Sequence, residues 1–511
     1  MDFIKKNLTI SSPIKKGCGE FGVEGDIIVP DVLPDILKVI QVDGTAVLLS
    51  KEVQDGKLVC NGRLDLKILY IPEDDNCKIK SITTSFDFSH VPVSTVPVEK
   101  FYTDVSVDVT KVDFHLTNSR KLKIKSIIEL CYCLFETHNM EIATDAEEED
   151  VFEIKKGQAT ISEFVDFKDT QFLVRESLEI PAGQSSICDL LKVDVSVYDT
   201  EFKVISGRVV VKGICGICAL YTDQSGCVRY SDFEVPFTEI IELEDAEDST
   251  ICTIDYSVKD VTYRAEADSD GDIRIIVADI IIGAKINACR KEEFEYIDDC
   301  YCPGKRISIE KEEKEIECIM SRATGSAAMR EVINLPAGSP SLSGIYSLVT
   351  KPVVESAKSE NGRVCVEGKV ICYCLYICGD DIPVYSHKHE IRFCENIDAD
   401  GAEPDCNCDV NAEITHKNYA LNSAGETEIK LSMSLDIIMT KNIKVPVISQ
   451  CEIEEVTAED KKGIVIYFVQ EGDTLWSVSK HYTVPAHDIA QLNGLEDDCI
   501  SKGMKLLIPS V

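Results

Sequence analysis

The chain has 511 residues with 53 Lys and Arg against 90 Asp and Glu, a formal net charge of −37 at neutral pH. That balance argues against nucleic acid as a partner, because phosphate binding needs clustered Lys and Arg that release counterions, and here the basic residues are scattered. No basic and apolar leader opens the chain, and Asp279 interrupts the best apolar run, IRIIVADIIIG, so nothing reaches the roughly 18 uninterrupted apolar residues of a membrane span. The expectation is synthesis and folding in the cytosol, with membrane contact only through a partner.

In chain order, three segments carry one ungapped skeleton: Pro30, Gly56, Gly62 and Tyr70, then Pro181, Gly207, Gly213 and Tyr221, then Pro336, Gly362, Gly368 and Tyr376. Each first glycine opens a similar stretch: GKLVCNG, GRVVVKG and GRVCVEG. Upstream, Ile36, Val39 and Val42 match Ile187, Leu190 and Val193, and Leu342, Ile345 and Leu348. Apolar steps of three predict a short helix there. Beyond the second glycine the alternating Val, Ile, Tyr and Cys predict a strand, with the preceding glycine supplying a turn at positive φ.

The second halves share a hairpin-like passage starting at Phe114, Tyr263 and Tyr419. Gly62 to Gly213 is 151 residues and Gly213 to Gly368 is 155, a period that fits whole domains better than small solenoid units. The expected fold is mainly β, three tandem β-sandwich-like repeats with short helices. Repeat one spans 1–150, repeat two 151–308 and repeat three 309–455, followed by an acidic linker at 456–462 and a distinct tail at 463–511. The acidic runs DAEEED from Asp145, ELEDAED from Glu242 and EIEEVTAED from Glu452 fall near repeat ends and read as solvated connections.

Twenty-three cysteines in a chain expected in a reducing compartment predict free thiols, mostly small buried hydrophobes. The C-x-C pairs Cys131 and Cys133, Cys372 and Cys374, and Cys406 and Cys408 should each face one side of a strand. The lone C-x-x-C, Cys215 to Cys218, lacks the second pair that a zinc site needs, and no metal or disulfide is expected to be required for folding. DSDGD from Asp268 has its glycine two places early for a calcium loop and Asp279 where a glutamate should stand. His387 and His389 read as exposed polar residues. With no phosphate-binding Gly-rich Lys loop, G-x-S-x-G or H-E-x-x-H motif, the chain is expected to be no enzyme and to carry no cofactor.

In the tail, Tyr467, Val469, Gly472, Asp473, Thr474, Leu475 and Trp476 lead to Asn493, Gly494 and Leu495, then Ile500, Gly503, Leu506, Ile508 and Pro509. This pattern, from Tyr467 to Pro509, resembles a LysM domain, which implies a βααβ fold. Asp473 or Thr474 is placed to cap the first helix, and Asn493 with Gly494 to end the second. The resemblance implies a groove for N-acetylglucosamine glycans between two loops, here Gly472, Asp473, Thr474, Leu475 and Trp476 on one side and Glu496, Asp497, Asp498 and Ile500 on the other. The acids of LEDDCI favour a protein partner over a glycan. The repeats, with VPDVLPDILKVI before GKLVCNGRLDLKILYIPED, resemble SPOCS domains of clostridial and related spore formers. Three of these and a terminal LysM resemble the SipL-type family of spore-coat morphogenetic proteins. That implies a non-enzymatic scaffold in the mother cell, at the forespore surface or spore coat, binding the ATPase of the coat's basement layer. A peptidoglycan-binding wall module is the alternative.

Overall fold

The computed structural model describes residues 3–73, 79–96, 101–146, 152–333, 335, 344–377, 384–421, 427–455, 463–495 and 499–509. Strand makes up 79% of the chain and helix 4%, and among the described residues both helices lie in the tail. Each repeat contributes six strands. The first has β1 Phe3–Ile28, β2 Ile36–Gln54, β3 Lys57–Pro72, β4 Lys80–Val93, β5 Phe101–Asn118 and β6 Lys121–Ala146. The second has β7 Glu153–Glu179, β8 Ile187–Ile205, β9 Arg208–Asp223, β10 Val228–Glu242, β11 Ile251–Ala267 and β12 Ile273–Tyr301. The third has β13 Lys305–Val332, β14 Gly344–Glu360, β15 Arg363–Ile377, β16 Val384–Asp398, β17 Asn407–Leu421 and β18 Thr427–Glu455.

One topology recurs in all three. The second, third and fourth strands of each repeat form an antiparallel sheet with the third in the middle, and the first, sixth and fifth form another with the sixth in the middle. The two sheets pack face to face over a shared core, in repeat one Leu64, Leu66, Ile68 and Tyr70 against Leu122, Ile124 and Ile128. The sandwich expectation holds.

The helix expected at Ile36, Val39 and Val42 does not form; those residues lie in β2, paired with Pro72, Tyr70 and Ile68. The steps of three arise from bulges, because register shifts fall between Ile36 and Lys38 and again between Val39 and Gln41. An inserted residue turns a strand's period of two into three while keeping the face. Repeat two has the same shifts between Ile187 and Asp189 and between Leu190 and Lys192, and repeat three has one between Ile345 and Ser347. Leu342 lies outside the described residues.

The anchor residues occupy equivalent places. Gly56, Gly207 and Gly362 sit in the turns before the central strands with φ of 72°, 77° and 75°, a region that suits glycine. Gly62, Gly213 and Gly368 lie within those strands, paired with Phe88, Phe237 and Phe393. A Cβ on Gly368 would lie 2.3 Å from the Val353 carbonyl oxygen and 2.6 Å from the Phe393 ring, so the second glycine makes room for an aromatic ring. Tyr70 and Tyr221 are fully buried. The Tyr70 hydroxyl donates to Pro34 O at 3.1 Å, and that of Tyr221 to Gln184 Oε1 at 3.1 Å.

The repeats are not beads on a string. Equivalent strands touch in cyclic order, β4 with β8, β10 with β14 and β16 with β2, which closes a ring of three. Leu69, Leu220 and Leu375, each just before the anchor tyrosine, meet Ile79, Val228 and Val384 in one buried cluster. The bulged residue Leu191 belongs to it and the bulged Ile40 and Tyr346 pack against it, so one bulge of each repeat serves the joint. A second cluster, with Leu8 and Ile10, Ile161 and Phe294, and Ile316 and Val445, joins the sheets built on the first and sixth strands of all three. Lys192, only 5% exposed, bridges repeats one and two through Asp43 at 2.5 Å and Asp194 at 2.9 Å. Burial works against its charge, and the two carboxylates overcome that and raise its pKa.

Cysteine and histidine placement corrects the sequence reading at two points, the Cys18–Cys131 bond and the two histidines. Cys18 and Cys131, directly opposed on β1 and β6, form a disulfide, against the expectation of free thiols throughout. Cys215 and Cys218 lie three apart in β9, which sends their side chains to opposite faces. His387 and His389 are half-buried, not exposed, with both Nε2 atoms buried.

Candidate functional site

The tail pairs β19 Val465–Phe468 with β20 Lys505–Ile508 around α1 Leu475–Tyr482 and α2 Ala486–Asn493. Val469, Leu475, Val478, Val484, Ile489, Leu506 and Ile508 form its core. Gly472 has a φ of 92° and turns the chain into α1. Thr474 is the N-cap: its Oγ1 accepts from Ser477 N at 3.1 Å, and Ser477 Oγ accepts from Thr474 N at 3.0 Å. Asp473 braces the loop instead, accepting from Tyr467 OH at 2.6 Å and Gln470 N at 2.7 Å. The Tyr467 bond is the main reason its pKa lies below the usual carboxylate range.

Asn493 does more than end α2. Its Nδ2 donates to Ile489 O and Leu507 O at 2.8 and 2.7 Å, and its Oδ1 accepts from Leu507 N at 2.7 Å, tying α2 to β20. Gly494 follows with a φ of 65°. Of the sequence-predicted groove residues, Gly472 and Thr474 are open to solvent, Leu475 is buried in the core, and Ile500 packs half-buried against that core. Glu496, Asp497 and Asp498 lie outside the described residues.

Trp476, the only tryptophan, faces the ring. Its Nε1 donates to Asp299 Oδ2 at 2.9 Å, and its ring meets Tyr301 edge-on at 5.0 Å. Lys480, one turn on, reaches Asp299 Oδ1 at 2.5 Å. Tyr301 OH donates to Val484 O at 3.1 Å, and Gly304 N to Thr483 O at 2.9 Å. Burial alone would raise the Asp299 pKa, but hydrogen bonds from Lys480 and Trp476 and the charges of Lys480 and Lys311 hold it below the ordinary value. Asp299 thus seats the tail at the β12–β13 turn. Gly472 and Thr474 stay outward, as does the apolar stretch Ile464, Val465, Ile466 and Phe468, each more than 40% exposed. Nothing in the local text around Asp299 marks it as the seat, since its partners lie far along the chain.

A cavity of about 430 Å³ lies between the repeats, lined from β5, β11 and β17 by Asp104, Asp255 and Asp409. Lys285 pairs with Asp104 at 2.6 Å. Asp255 and Asp409 carry raised pKa values, through burial first and then neighbouring carboxylates.

Residues 35–117, 186–266 and 343–422 each match the family model described as SipL, SPOCS domain, and residues 467–509 match that of the LysM domain. The chain is of the SipL type, with three SPOCS domains and a terminal LysM domain. No curated protein and no solved structure matches it. SPOCS and LysM are non-catalytic families, and the SipL family is associated with the spore coat. LysM domains generally bind N-acetylglucosamine glycans such as peptidoglycan. No helix among the described residues is long and apolar enough to cross a membrane.

Proposed function

We propose that this chain is a non-enzymatic scaffold of spore-coat assembly, acting in the mother cell at the forespore surface and capturing the basement-layer coat ATPase through its LysM domain. The observation that carries the reading is the domain set itself, three SPOCS domains on one chain with LysM. A protein partner is supported by the exposed Ile464, Ile466 and Phe468, since exposed apolar residues grouped along one short stretch mark contact surfaces. The seating of Trp476 on Asp299 leaves that edge outward. The second reading, a peptidoglycan-binding module, rests on what LysM domains generally bind.

The test compares the full chain with one ending before residue 463, each offered purified coat ATPase and purified peptidoglycan at equal salt. Retention of the ATPase by the full chain alone supports the scaffold. Retention of peptidoglycan without the ATPase would replace it with the wall-binding module.

A further inference from the structure

On the outer face of repeat three, Cys365 and Glu367 stand two apart on β15, and Cys394 lies across from Glu367 on β16. Their ligand atoms all lie within 4.8 Å of one another. The sulfurs are 4.0 Å apart, and Cys394 Sγ is 3.9 Å from Glu367 Oε1. We propose that Cys365, Glu367 and Cys394 form a binding site for a zinc-like divalent ion, with water as the fourth ligand.

The spacing favours a metal over a disulfide. Two thiolates on one tetrahedral zinc, at bonds of about 2.3 Å, stand about 3.8 Å apart, whereas a disulfide needs about 2.05 Å. The directly opposed Cys18 and Cys131 have closed into a disulfide, while the diagonal Cys365 and Cys394 are held at metal-ligand separation. Thiolate donors suit zinc, and the carboxylate completes a set of three that leaves a position open. Ser356 Oγ donates to Glu367 Oε2 at 3.3 Å, fixing the carboxylate by the oxygen that does not face the sulfurs. The carboxylates of Glu367 and Glu360 place negative charge beside Cys365, which favours a cation. On binding, each thiol releases its proton to water as its sulfur bonds the ion.

The other repeats supply an internal control. At the matching places repeat one has Val59, Asn61 and Ser89, and repeat two has Val210, Lys212 and Thr238. The sandwich does not need these three residues, yet only repeat three has them together.

The experiment titrates the full chain, kept reduced, with Co²⁺ and then Zn²⁺. The expected result is a sulfur-to-cobalt charge-transfer band rising to about one equivalent and displaced by zinc. Cys365→Val and Cys394→Ser, which install residues found in repeat one, should abolish the band with the β-sheet circular dichroism unchanged. Glu367→Asn should weaken binding about tenfold or more. No band in the wild type, or an undiminished band in both cysteine variants, would overturn the site. So would a Cys365–Cys394 disulfide formed in air by protein that binds no metal when reduced.

Discussion

Leu69, Leu220 and Leu375 join the repeats through buried apolar contact, whereas the LysM domain meets the ring through one carboxylate, an ion pair, a few hydrogen bonds and an aromatic edge. The first joint gains mainly from area removed from water, and the Lys192 pairs beside it are buried and little screened by salt. The second depends on charge and geometry around Asp299, and salt and acid weaken it. The ring is therefore one cooperative body and the tail a separable passenger.

The comparison breaks most directly at Leu220, which is 2% exposed. Leu220→Ala should cost about 2–5 kcal/mol, read as a lower urea midpoint for the whole ring; loss confined to repeat two would show that the repeats unfold independently. Gly368→Ala, which drives a methyl into the Val353 carbonyl and the Phe393 ring, should cost about 1–3 kcal/mol in the same assay.

A smaller effect should sharpen the other side. Asp299→Ala leaves Trp476 and Lys480 unpaired at the seam, at about 1.5–3 kcal/mol for the charged hydrogen bonds, and frees the tail. Emission from the single tryptophan should shift red and quench more readily with acrylamide, while the ring's urea midpoint stays put. Because the Asp299 pKa is lowered in the folded chain, its contribution is present above the ordinary carboxylate range and lost as pH falls through the folded value. Acid should therefore produce the same tryptophan shift in the wild type.

The smallest effect concerns Glu413, on β17 beside Thr200 of repeat two. Burial pushes its pKa up to about 7, and its Oε1 is buried without a hydrogen-bond partner. A raised carboxylate pKa costs stability above the folded value, and the cost disappears as pH falls below the unfolded one. Glu413→Gln should therefore stabilise the ring at pH 8 and make no difference near pH 4, as followed by thermal melts.

The sequence showed the triplication because the anchors Pro30, Gly56, Gly62 and Tyr70 recur without gaps, and the structure gives Gly56, Gly62 and Tyr70 each a backbone or packing duty. It misled at Ile36, Val39 and Val42, because a doubly bulged strand and a helix both place apolar residues at steps of three. The tail's fold was legible in local signals such as Thr474 and Asn493. Asp299 was not, since it acts on residues more than 170 positions away. The Cys365, Glu367 and Cys394 cluster was hidden likewise: its third member arrives only through the β15–β16 register.

Ring closure also bears on how the chain is made. Ile40 and Leu69 are in place early in synthesis, yet their final neighbours include Leu375 and Val384, and Ser386 Oγ donates to Ile40 O at 2.9 Å. Until the ribosome has released repeat three, the first repeat presents an uncovered apolar patch that a neighbouring chain's third repeat fits equally well. Crowded translation on one messenger would then favour swapped dimers over closed monomers, and a chain stopped after β12 should self-associate in proportion to its concentration, as light scattering would record.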